Sequence, residues 1–235
     1  VVQDLRDGQV ALLENLRFHA GEKDNDEDFA RELGASCGAY VNDAFGAAHR
    51  AHASVSALPR LIEERAAGFL MLRELEVLDK LRTDAPRPYI AVLGGAKVSD
   101  KIGVMEALLG KVDALLVGGA MANTFLAARR LDVGKSVYEK DKLALARSLM
   151  ATAEETEVDL LLPSDVRVAA SIDSVEARVV RVDAIPTDAM ALDIGPDTER
   201  LYRERLRRAQ SVFWNGPMGL FENATFAQGT LAVAR

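Results

Sequence analysis

The stretch that decides the fold is YIAVLGGAKVSDK, residues 89–101, where an apolar run meets two glycines and then two lysines. A continuous apolar run of this length is typical of a strand buried on both faces of a sheet. The pattern that follows, Val98–Leu109, predicts a helix. Glycines let a ligand approach the backbone closely, and the start of a helix attracts an anion. The stretch therefore predicts a strand, an open turn and a helix.

The two lysines of this stretch favour a phosphate ligand. Lys97 lies in the turn and Lys101 follows one helical turn later, so both ammonium groups can reach the same side. Lysines near a helix start oppose the helix dipole, and this unfavourable placement predicts a bound anion, with solvated lysines as the alternative. The spacing of its glycines and lysines matches neither the common phosphate loop nor the dinucleotide-binding fingerprint. Taken alone, the stretch is therefore only weak evidence for phosphate binding.

The order of strand, glycine turn and helix recurs along the second part of the chain. "LVGGAM" repeats the Gly-Gly-Ala turn, and "DIGP" and "WNGP" place Gly-Pro after a strand. Ligands bind beyond the carboxyl ends of strands in open α/β sheets, so four such turns predict one shared ligand edge. Alternating strands and helices predict an α/β fold with a parallel sheet covered on both faces. The predicted strands are Tyr89–Leu93, Ala114–Val117, Leu160–Leu162, Met190–Ile194 and Ser211–Trp214. Two further short strands, Val166–Ala169 and Arg178–Val182, are predicted to pair with each other. The other predicted helices are Met121–Ala128, Lys140–Ala153, Asp197–Ala209 and one from about Ala224.

The first part of the chain predicts fewer elements. Apolar runs at Val10–Leu13 and Ala39–Asn42 predict strands, and Asp26–Gly34 predicts a helix. The longest amphipathic pattern, residues 67–81, predicts a helix that a Pro-rich stretch follows and ends. We therefore expect a domain boundary near residue 83. The division is a domain over residues 1–68, a connecting helix and hinge over residues 69–83, and a second domain over residues 84–235.

Composition narrows the class of protein. The 235 residues carry a formal net charge of −7, which argues against a general nucleic-acid or anionic-membrane binder. No apolar run approaches membrane-spanning length. The single cysteine, Cys37, favours a reducing, cytoplasmic compartment, and its small neighbours predict a buried, inert thiol. The first residues contain neither a methionine nor a signal-peptide pattern, which predicts a fragment without a secretion signal.

Two stretches of the first part carry arginines that suit an anionic ligand. Arg17 in "LLENLRF" predicts a bidentate clamp on phosphate or carboxylate, with a local ion pair to Glu14 or Glu22 as the alternative. Arg50 lies beside two histidines in "VNDAFGAAHRAHAS". Because no cysteine or further histidine is close, the second stretch favours a basic cluster for an anionic substrate over a metal site.

The stretch "VFWNGPMGLFE", residues 212–222, adds a last strand-end turn with polar side chains. Asn215 and Pro217 lie in the turn, and the carboxylate of Glu222 can accept hydrogen bonds from a pair of sugar hydroxyls. Trp214 is predicted to be a core residue.

Taken together and in order, the motifs resemble phosphoglycerate kinase across essentially the whole chain. The resemblance rests on "LLENLRFHAGEKDND", "YVNDAFGAAHRAHAS", "GFLMLRELEVL", "LGGAKVSDKI", "VGGAMANTF", "LDIGP" and "FWNGPMGLFE". It implies two Rossmann-like parallel-sheet domains, each a three-layer αβα arrangement, joined by an interdomain helix. It also implies a monomeric, hinge-bending glycolytic kinase that moves the acyl phosphate of 1,3-bisphosphoglycerate to ADP, giving 3-phosphoglycerate and ATP, with Mg²⁺ carried by the nucleotide.

The resemblance assigns a role to each matching position. Arg17 and Arg50 would hold the glycerate substrate. Lys97 would steady the transferring phosphoryl group at the nucleotide, and Lys101 would bind the nucleotide phosphates. The remaining nucleotide-binding positions are Gly118 and Gly119 against adenine, Leu192 in another wall of that pocket, Asn215 on the phosphate side, Pro217 at the nucleoside and Glu222 at the ribose. No metal ligand is assigned within the chain.

Some features depart from the family pattern. An N-terminal segment with further substrate ligands and a C-terminal glycine-rich turn, whose aspartate serves the nucleotide metal, are absent from the sequence. Ala120, Ala189 and Ala191 stand where glycine, tryptophan and glycine are common, and Ala191 is expected to affect the adenine contact. A nucleotide-binding module without catalysis is the alternative function for the truncated chain. A dinucleotide-dependent oxidoreductase is disfavoured because no Gly-x-Gly-x-x-Gly turn occurs.

Overall fold

The computed structural model describes residues 5–235, which separate into two compact units at the bond between Lys80 and Leu81. Each unit has its own apolar core, and each is described separately below. The helix Phe69–Thr83 contains the boundary between them. It begins and ends two residues later than the sequence pattern predicts.

The first unit contains a parallel pair of strands and short helices. Its elements are α1 (Ala20–Lys23), α2 (Glu27–Gly34), β1 (Ala39–Asn42), α3 (Leu58–Leu61), β2 (Glu64–Ala67) and α4 (Phe69–Thr83), with 3₁₀ turns at Leu16–Phe18 and Phe45–Ala47 and a π-helical turn at Ala53–Ala57. Strand β1 pairs with β2 from Ala39 opposite Glu64. The carboxylate of Asp26 accepts a hydrogen bond from the Phe29 amide at 2.7 Å and caps α2, so the predicted helix over Asp26–Gly34 is confirmed one residue later.

Two predictions for the first unit are wrong. Residues 10–13 form no strand, and the side chains of Val10 and Leu12 are 91% and 98% exposed. An apolar run becomes a strand only where a neighbouring strand pairs with it, and no described strand does so here. Cys37 is exposed rather than buried, because it lies in the turn between α2 and β1.

The second unit contains most of the predicted strands and helices. Its elements are β3 (Tyr89–Leu93), α5 (Ile102–Leu109), β4 (Ala114–Val117), α6 (Gly119–Ala128), α7 (Leu143–Glu155), β5 (Asp159–Leu161), β6 (Asp165–Ala169), β7 (Arg178–Arg181), β8 (Met190–Ile194), α8 (Pro196–Leu206), β9 (Ser211–Asn215) and α9 (Gln228–Ala234), with 3₁₀ turns at Ser99–Lys101, Lys140–Lys142 and Ala224–Phe226. The predicted elements are therefore confirmed with small differences at their ends.

A parallel sheet with the strand order β5-β4-β3-β9 forms the centre of this unit within the described residues. Strand β3 is buried along its whole length. Its residues alternate between two apolar cores: Ala91 and Leu93 pack in one, and Ile90 and Val92 pack in the other. Because side chains of a strand alternate between the two faces, helices cover both faces of the sheet and the predicted α/β architecture is confirmed.

Strand β8 corrects part of the predicted topology. It pairs antiparallel with β6, which also pairs antiparallel with β7, so the described residues form a second sheet in the order β7-β6-β8. The predicted pairing of the 166–169 and 178–182 segments is confirmed. However, in residues 5–235 β8 makes no ladder with the parallel sheet, and the Gly195 amide that follows it donates to the Asp165 carbonyl of β6 instead. In residues 5–235 none of the helices has both the length and the apolar character that crossing a bilayer requires.

Candidate functional site

Three of the four glycine turns interlock at the carboxyl end of the parallel sheet. The Gly94 amide donates to the Asn215 carbonyl at 3.0 Å, and the Gly95 amide donates to the Pro217 carbonyl at 3.0 Å. The Gly119 amide donates to the Met218 carbonyl at 2.8 Å. The turns after β3, β4 and β9 are therefore joined by backbone hydrogen bonds into one edge.

Close backbone approach explains why glycine occupies these turns. A Cβ on Gly94 would lie 2.0 Å from the Pro217 carbonyl oxygen. Gly119 has a φ of +67°, and a Cβ there would lie 2.5 Å from the Gly95 nitrogen. Any side chain at either position would push the turns apart.

The turn after β9 meets the second lysine of the opening stretch. The Lys101 ammonium group donates to the side-chain carbonyl of Asn215 in a short hydrogen bond. Lys97, by contrast, is exposed and makes no hydrogen bond or ion pair with another residue between 5 and 235. One ammonium group is thus anchored beside the interlocked turns, and the other is available to a ligand.

The helix start beside these lysines is already capped by an anion of the protein. The carboxylate of Glu139 accepts hydrogen bonds from the Ser99 amide at 3.0 Å and from the Ser99 hydroxyl at 2.5 Å. Partial burial acts to raise the pKa of Glu139, but the hydrogen bonds from Ser99 outweigh it and the net pKa is lowered. Glu139 therefore takes the Ser99 amide at this helix start and leaves the lysine side chains as the cationic groups, and phosphate binding at this turn stays a prediction.

Leu192 of β8 reaches the same edge from the side. Gly119, Leu192 and Met218 line one narrow cleft of 10 Å³, about the space of one water molecule. The Leu192 carbonyl accepts a hydrogen bond from the Leu220 amide at 2.8 Å, which fixes the 216–222 loop against β8. The Ala191 amide donates to the Ser136 hydroxyl at 2.8 Å, so the backbone of this wall is held on its other side as well.

Pro217 and Trp214 lie on the outer side of this loop. Together with Gly216, Phe221 and Thr230 they line a hollow of 270 Å³. Trp214 is 38% exposed and its indole N–H donates to the Gly216 carbonyl at 2.7 Å, so the prediction of a core residue is wrong. The physical reason is that β9 is an edge strand of the described sheet. Glu222 is exposed and makes no hydrogen bond or ion pair with the other predicted site residues in the described chain.

A buried aspartate lies behind this edge. The Asp193 carboxylate accepts hydrogen bonds from the Gly229 amide at 2.7 Å and the Ile194 amide at 2.9 Å. Its nearest cation is the Arg167 guanidinium at 3.7 Å. Burial raises the pKa of Asp193 to about 7, against the opposing effect of these donors. Asp193 therefore links β8 to the start of α9.

The two predicted arginines belong to the first unit and are both exposed. The alternative of an ion pair for Arg17 is wrong within the described residues. Glu22 is 3% exposed and accepts from the Ser54 amide at 2.9 Å and hydroxyl at 2.6 Å, while Glu14 accepts from the Asn15 amide. Among residues 5–235 the guanidinium of Arg17 therefore has no acidic partner and can meet an anion.

Arg50 lies at the rim of a basic hollow. The hollow has a volume of 600 Å³ and is lined by Arg50, His49, Arg60 and Arg65 among others. Arg17 is not one of its lining residues. The other histidine of this stretch, His52, lies 3.7 Å from the buried Glu22 instead. Among residues 5–235, no group of three or more His, Cys, Asp and Glu side chains could hold a metal ion.

Comparison with known proteins identifies the family. The family model for phosphoglycerate kinase matches residues 1–235. The chain belongs to the phosphoglycerate kinase family. The phosphoglycerate kinase of Anaeromyxobacter sp. (strain Fw109-5) is 55% identical over 236 residues, which cover 100% of this chain and 60% of that relative. The phosphoglycerate kinase of Pelotomaculum thermopropionicum is 54% identical over 235 residues, with the same coverage.

Solved structures of the family share the fold. Phosphoglycerate kinase from Coxiella burnetii superimposes with a TM-score of 0.81 at 40% identity, over 94% of this chain and 57% of that chain. The enzyme from Pyrococcus horikoshii OT3 gives a TM-score of 0.77 at 32% identity, over 99% of this chain and 61% of that one. The chain therefore has the α/β, Rossmann-like fold of the family and spans about 60% of the length of the curated relatives it matches.

The sequence analysis missed the carboxylates that cap helices from a distance. Each of these carboxylates accepts a hydrogen bond from a backbone amide at a helix or turn start. In the described chain the pairs are Glu22 with the Ser54 amide, Asp43 with Met71, Glu139 with Ser99, Asp165 with Asp197 and Thr198, and Asp193 with Gly229. The helix at Pro196 gives one usable signal, since it follows a glycine and has no local side-chain cap. A helix start without a local cap indicates that a distant acceptor is needed, but it does not say which one.

Proposed function

We propose that the full-length protein reversibly transfers the acyl phosphate of 1,3-bisphosphoglycerate to ADP, giving 3-phosphoglycerate and ATP in glycolysis. The observation that carries the proposal is the hydrogen bond between Lys101 and Asn215 across the interlocked turns, with Lys97 exposed beside it. Two ammonium groups at a glycine-lined sheet edge supply what phosphoryl transfer requires, namely position and neutralising charge.

In this proposal the second unit binds the nucleotide. Lys101 and Asn215 contact its phosphates, and Lys97 neutralises the phosphoryl group as it passes between the carboxylate oxygen and the ADP oxygen. Gly118, Gly119 and Leu192 face adenine, Pro217 contacts the nucleoside, and Glu222 accepts from the ribose. The 10 Å³ cleft beside Gly119 and Leu192 is too small for a purine, so adenine lies over these walls rather than within the cleft.

Mg²⁺ enters this proposal with the nucleotide. The ion usually keeps several waters and binds through one or two carboxylates together with substrate phosphates. The described residues offer no cluster of carboxylates or histidines at this edge, so they do not form a magnesium site by themselves. No step is assigned to the metal within this chain.

The glycerate substrate is assigned to the first unit. Arg17, which has no acidic partner among residues 5–235, and Arg50, which lines the basic hollow, are suited to bind its phosphate and carboxylate groups. Residues 1–68 form part of the glycerate domain, residues 69–83 the interdomain helix and hinge, and residues 84–235 most of the nucleotide domain. Hinge closure brings the two substrates together and excludes water that would hydrolyse the acyl phosphate. The protein acts as a cytoplasmic monomer.

Lys97→Ala in the full-length protein tests the proposal. Forward turnover is measured with 1,3-bisphosphoglycerate and ADP, and nucleotide affinity is measured separately by calorimetry. We expect the variant to lose about 10²-fold or more in kcat, since it loses charge stabilisation in the transition state, with a much smaller change in affinity. Lys23→Ala serves as the control, because Lys23 is exposed at the end of α1 and its side chain makes no hydrogen bond or ion pair among residues 5–235. Turnover by Lys97→Ala equal to that of the unaltered protein would contradict the assigned role, and nucleotide binding without any turnover by the unaltered protein would support a non-catalytic module.

A further inference from the structure

Glu139 connects the lysine turn to the helix that starts at the Gly118–Gly119 turn. Its carboxylate holds the amide and hydroxyl of Ser99, which lies two residues after Lys97 and two before Lys101. Glu139 is 40 residues away along the chain, so this cap forms only through tertiary structure. The backbone between the two lysines is therefore fixed by a side chain from another segment.

The segment carrying Glu139 is itself held firmly by α6. The Glu139 amide donates to the Thr124 hydroxyl at 3.1 Å, and the Asn123 side-chain amide donates to the Val137 carbonyl at 3.2 Å. Asn123 and Thr124 are 2% and 0% exposed, so the base of this connection lies in the core. Motion of the lysine turn relative to α6 requires the Glu139 cap to break.

We propose that Glu139 is a positioning residue that sets the orientation of Lys97 and Lys101 toward the nucleotide phosphates. The inference rests on the proposed function and concerns the same edge of the sheet. Glu139 acts through Ser99 and not by contact with a substrate.

Charge gives the cap a second consequence. A free helix start would attract phosphate oxygens with its N–H groups and its positive dipole end. The Glu139 carboxylate takes the Ser99 amide and makes this point of the turn anionic, so a phosphate is directed to the ammonium groups of Lys97 and Lys101. A neutral replacement of the same shape should therefore impair the site even where the fold survives.

The experiment compares Glu139→Gln, Glu139→Ala and Ser99→Ala in the full-length protein. Asp141→Asn is the matched control, because Asp141 lies in the same segment, is exposed, and pairs with its neighbour Lys142. For each variant we measure kcat, KM for MgADP and the free energy of unfolding in urea. All kinetics are run at a temperature where every variant is folded.

We expect Glu139→Ala to lower kcat by about tenfold to a hundredfold, since small misplacements of a positioned group have effects of that size. The KM for MgADP should rise several-fold as Lys101 loses its orientation. Glu139→Gln, which keeps volume and one acceptor, should lie between Glu139→Ala and the unaltered protein, as should Ser99→Ala, which keeps the backbone hydrogen bond. Asp141→Asn should match the unaltered protein.

Kinetics of Glu139→Ala and Glu139→Gln within twofold of the unaltered protein, with only a loss of stability, would overturn the inference and leave a structural cap. If Glu139→Ala does not fold, Glu139→Gln alone decides between these outcomes. Absence of turnover in the unaltered protein would instead contradict the proposed function, so the two failures are distinguishable.

Discussion

The turn after β3 and the turn after β8 have the same sequence pattern and different surroundings. Each is an apolar strand, a glycine and a helix, and each helix start is capped by a carboxylate from a distant segment, Glu139 in one and Asp165 in the other. The first turn presents an exposed lysine and an anchored one. In the second, a Cβ on Gly195 would lie 2.2 Å from the Asp165 carboxylate, so the turn is sealed by the protein. The pattern of strand, glycine and helix therefore indicates a turn of this shape, and the neighbouring side chains decide whether a ligand can use it.

Removing the carboxylate of the sealed turn gives the largest expected effect on stability. Asp165 is 4% exposed and accepts from the Asp197 amide, the Thr198 amide and the Thr198 hydroxyl at 3.0, 2.8 and 2.7 Å. We expect Asp165→Ala to lower the free energy of unfolding by about 3 to 4 kcal/mol, because a helix cap and a buried hydroxyl lose their acceptor. Urea denaturation of the full-length protein measures this, with the exposed Asp188→Ala as control. A loss below about 1 kcal/mol would mean that the sealed turn does not depend on its cap.

The pH dependence of stability tests the second buried carboxylate near this turn. Since the folded pKa of Asp193, about 7, lies above its unfolded value, the folded state binds the proton more tightly. The stability from this group is fully present below the unfolded pKa and is lost as pH rises toward 7. In the unaltered protein this group should lower the free energy of unfolding by about 2 to 3 kcal/mol between pH 5 and pH 8, and we expect Asp193→Asn to abolish that decrease.

Unfolding curves at several pH values check this expectation. Asp183→Asn is the control, because Asp183 is exposed and its pKa is lowered by hydrogen bonding to Arg181. An unchanged pH slope in Asp193→Asn, together with an unchanged slope in the control, would show that Asp193 does not titrate in this window.

Tyr202 links α8, the helix after β8, to the end of β4, and removing its hydroxyl is expected to have a smaller effect on stability. This fully buried side chain on α8 donates to the Val117 carbonyl at 2.7 Å, directly before the Gly118 turn, and lies 3.0 Å from the Leu161 carbonyl. We expect Tyr202→Phe to cost about 1 to 3 kcal/mol of stability, because buried carbonyls lose a donor. Thermal unfolding compares it with Tyr138→Phe, whose hydroxyl has no such partner in the described chain. Equal melting temperatures of the two variants would show that the hydrogen bond from Tyr202 to the Val117 carbonyl does not stabilise the fold.

The open turn should tolerate the loss of its anchored lysine with the smallest change in stability. Lys101→Met removes one partly exposed hydrogen bond to Asn215, which is expected to alter the free energy of unfolding by less than about 1 kcal/mol. The same change should raise KM for MgADP strongly if the proposed function holds. Measuring urea unfolding and KM in parallel separates the two effects. A large loss of stability would show that Lys101 holds the fold, as Asp165 does at the turn after β8, and would contradict this prediction.

The elements of the second unit could be predicted because their apolar patterns are local. The run Tyr89–Leu93 is apolar throughout and buried on both faces, so its own sequence is enough to predict a central strand. Trp214 was predicted wrongly because its own strand does not reveal that β9 lies at the described edge of the sheet, where Val212 and Trp214 are partly exposed. Val10–Leu13 failed for a related reason, since pairing depends on a neighbour that the run itself does not specify.

The candidate site was predicted residue by residue but not in its connections. Lys101 and Asn215 were expected at one edge, and the structure joins them. The roles of Lys97, Glu222 and the two arginines stay predictions. The Glu139 and Asp193 contacts could not be predicted, since their partners lie 40 and 36 residues away and no periodicity connects them.

The distant carboxylate caps have a consequence for how the chain folds. A local cap stabilises its helix as soon as that segment forms. The 3₁₀ turn at Ser99, which leads into α5, and the helices α8 and α9 gain their caps only when remote segments have docked. Their first turns should therefore gain and lose protection from hydrogen exchange together with those segments, as shared cooperative units. We therefore expect the lysine turn to form and open together with α6, which holds the Glu139 segment through Thr124.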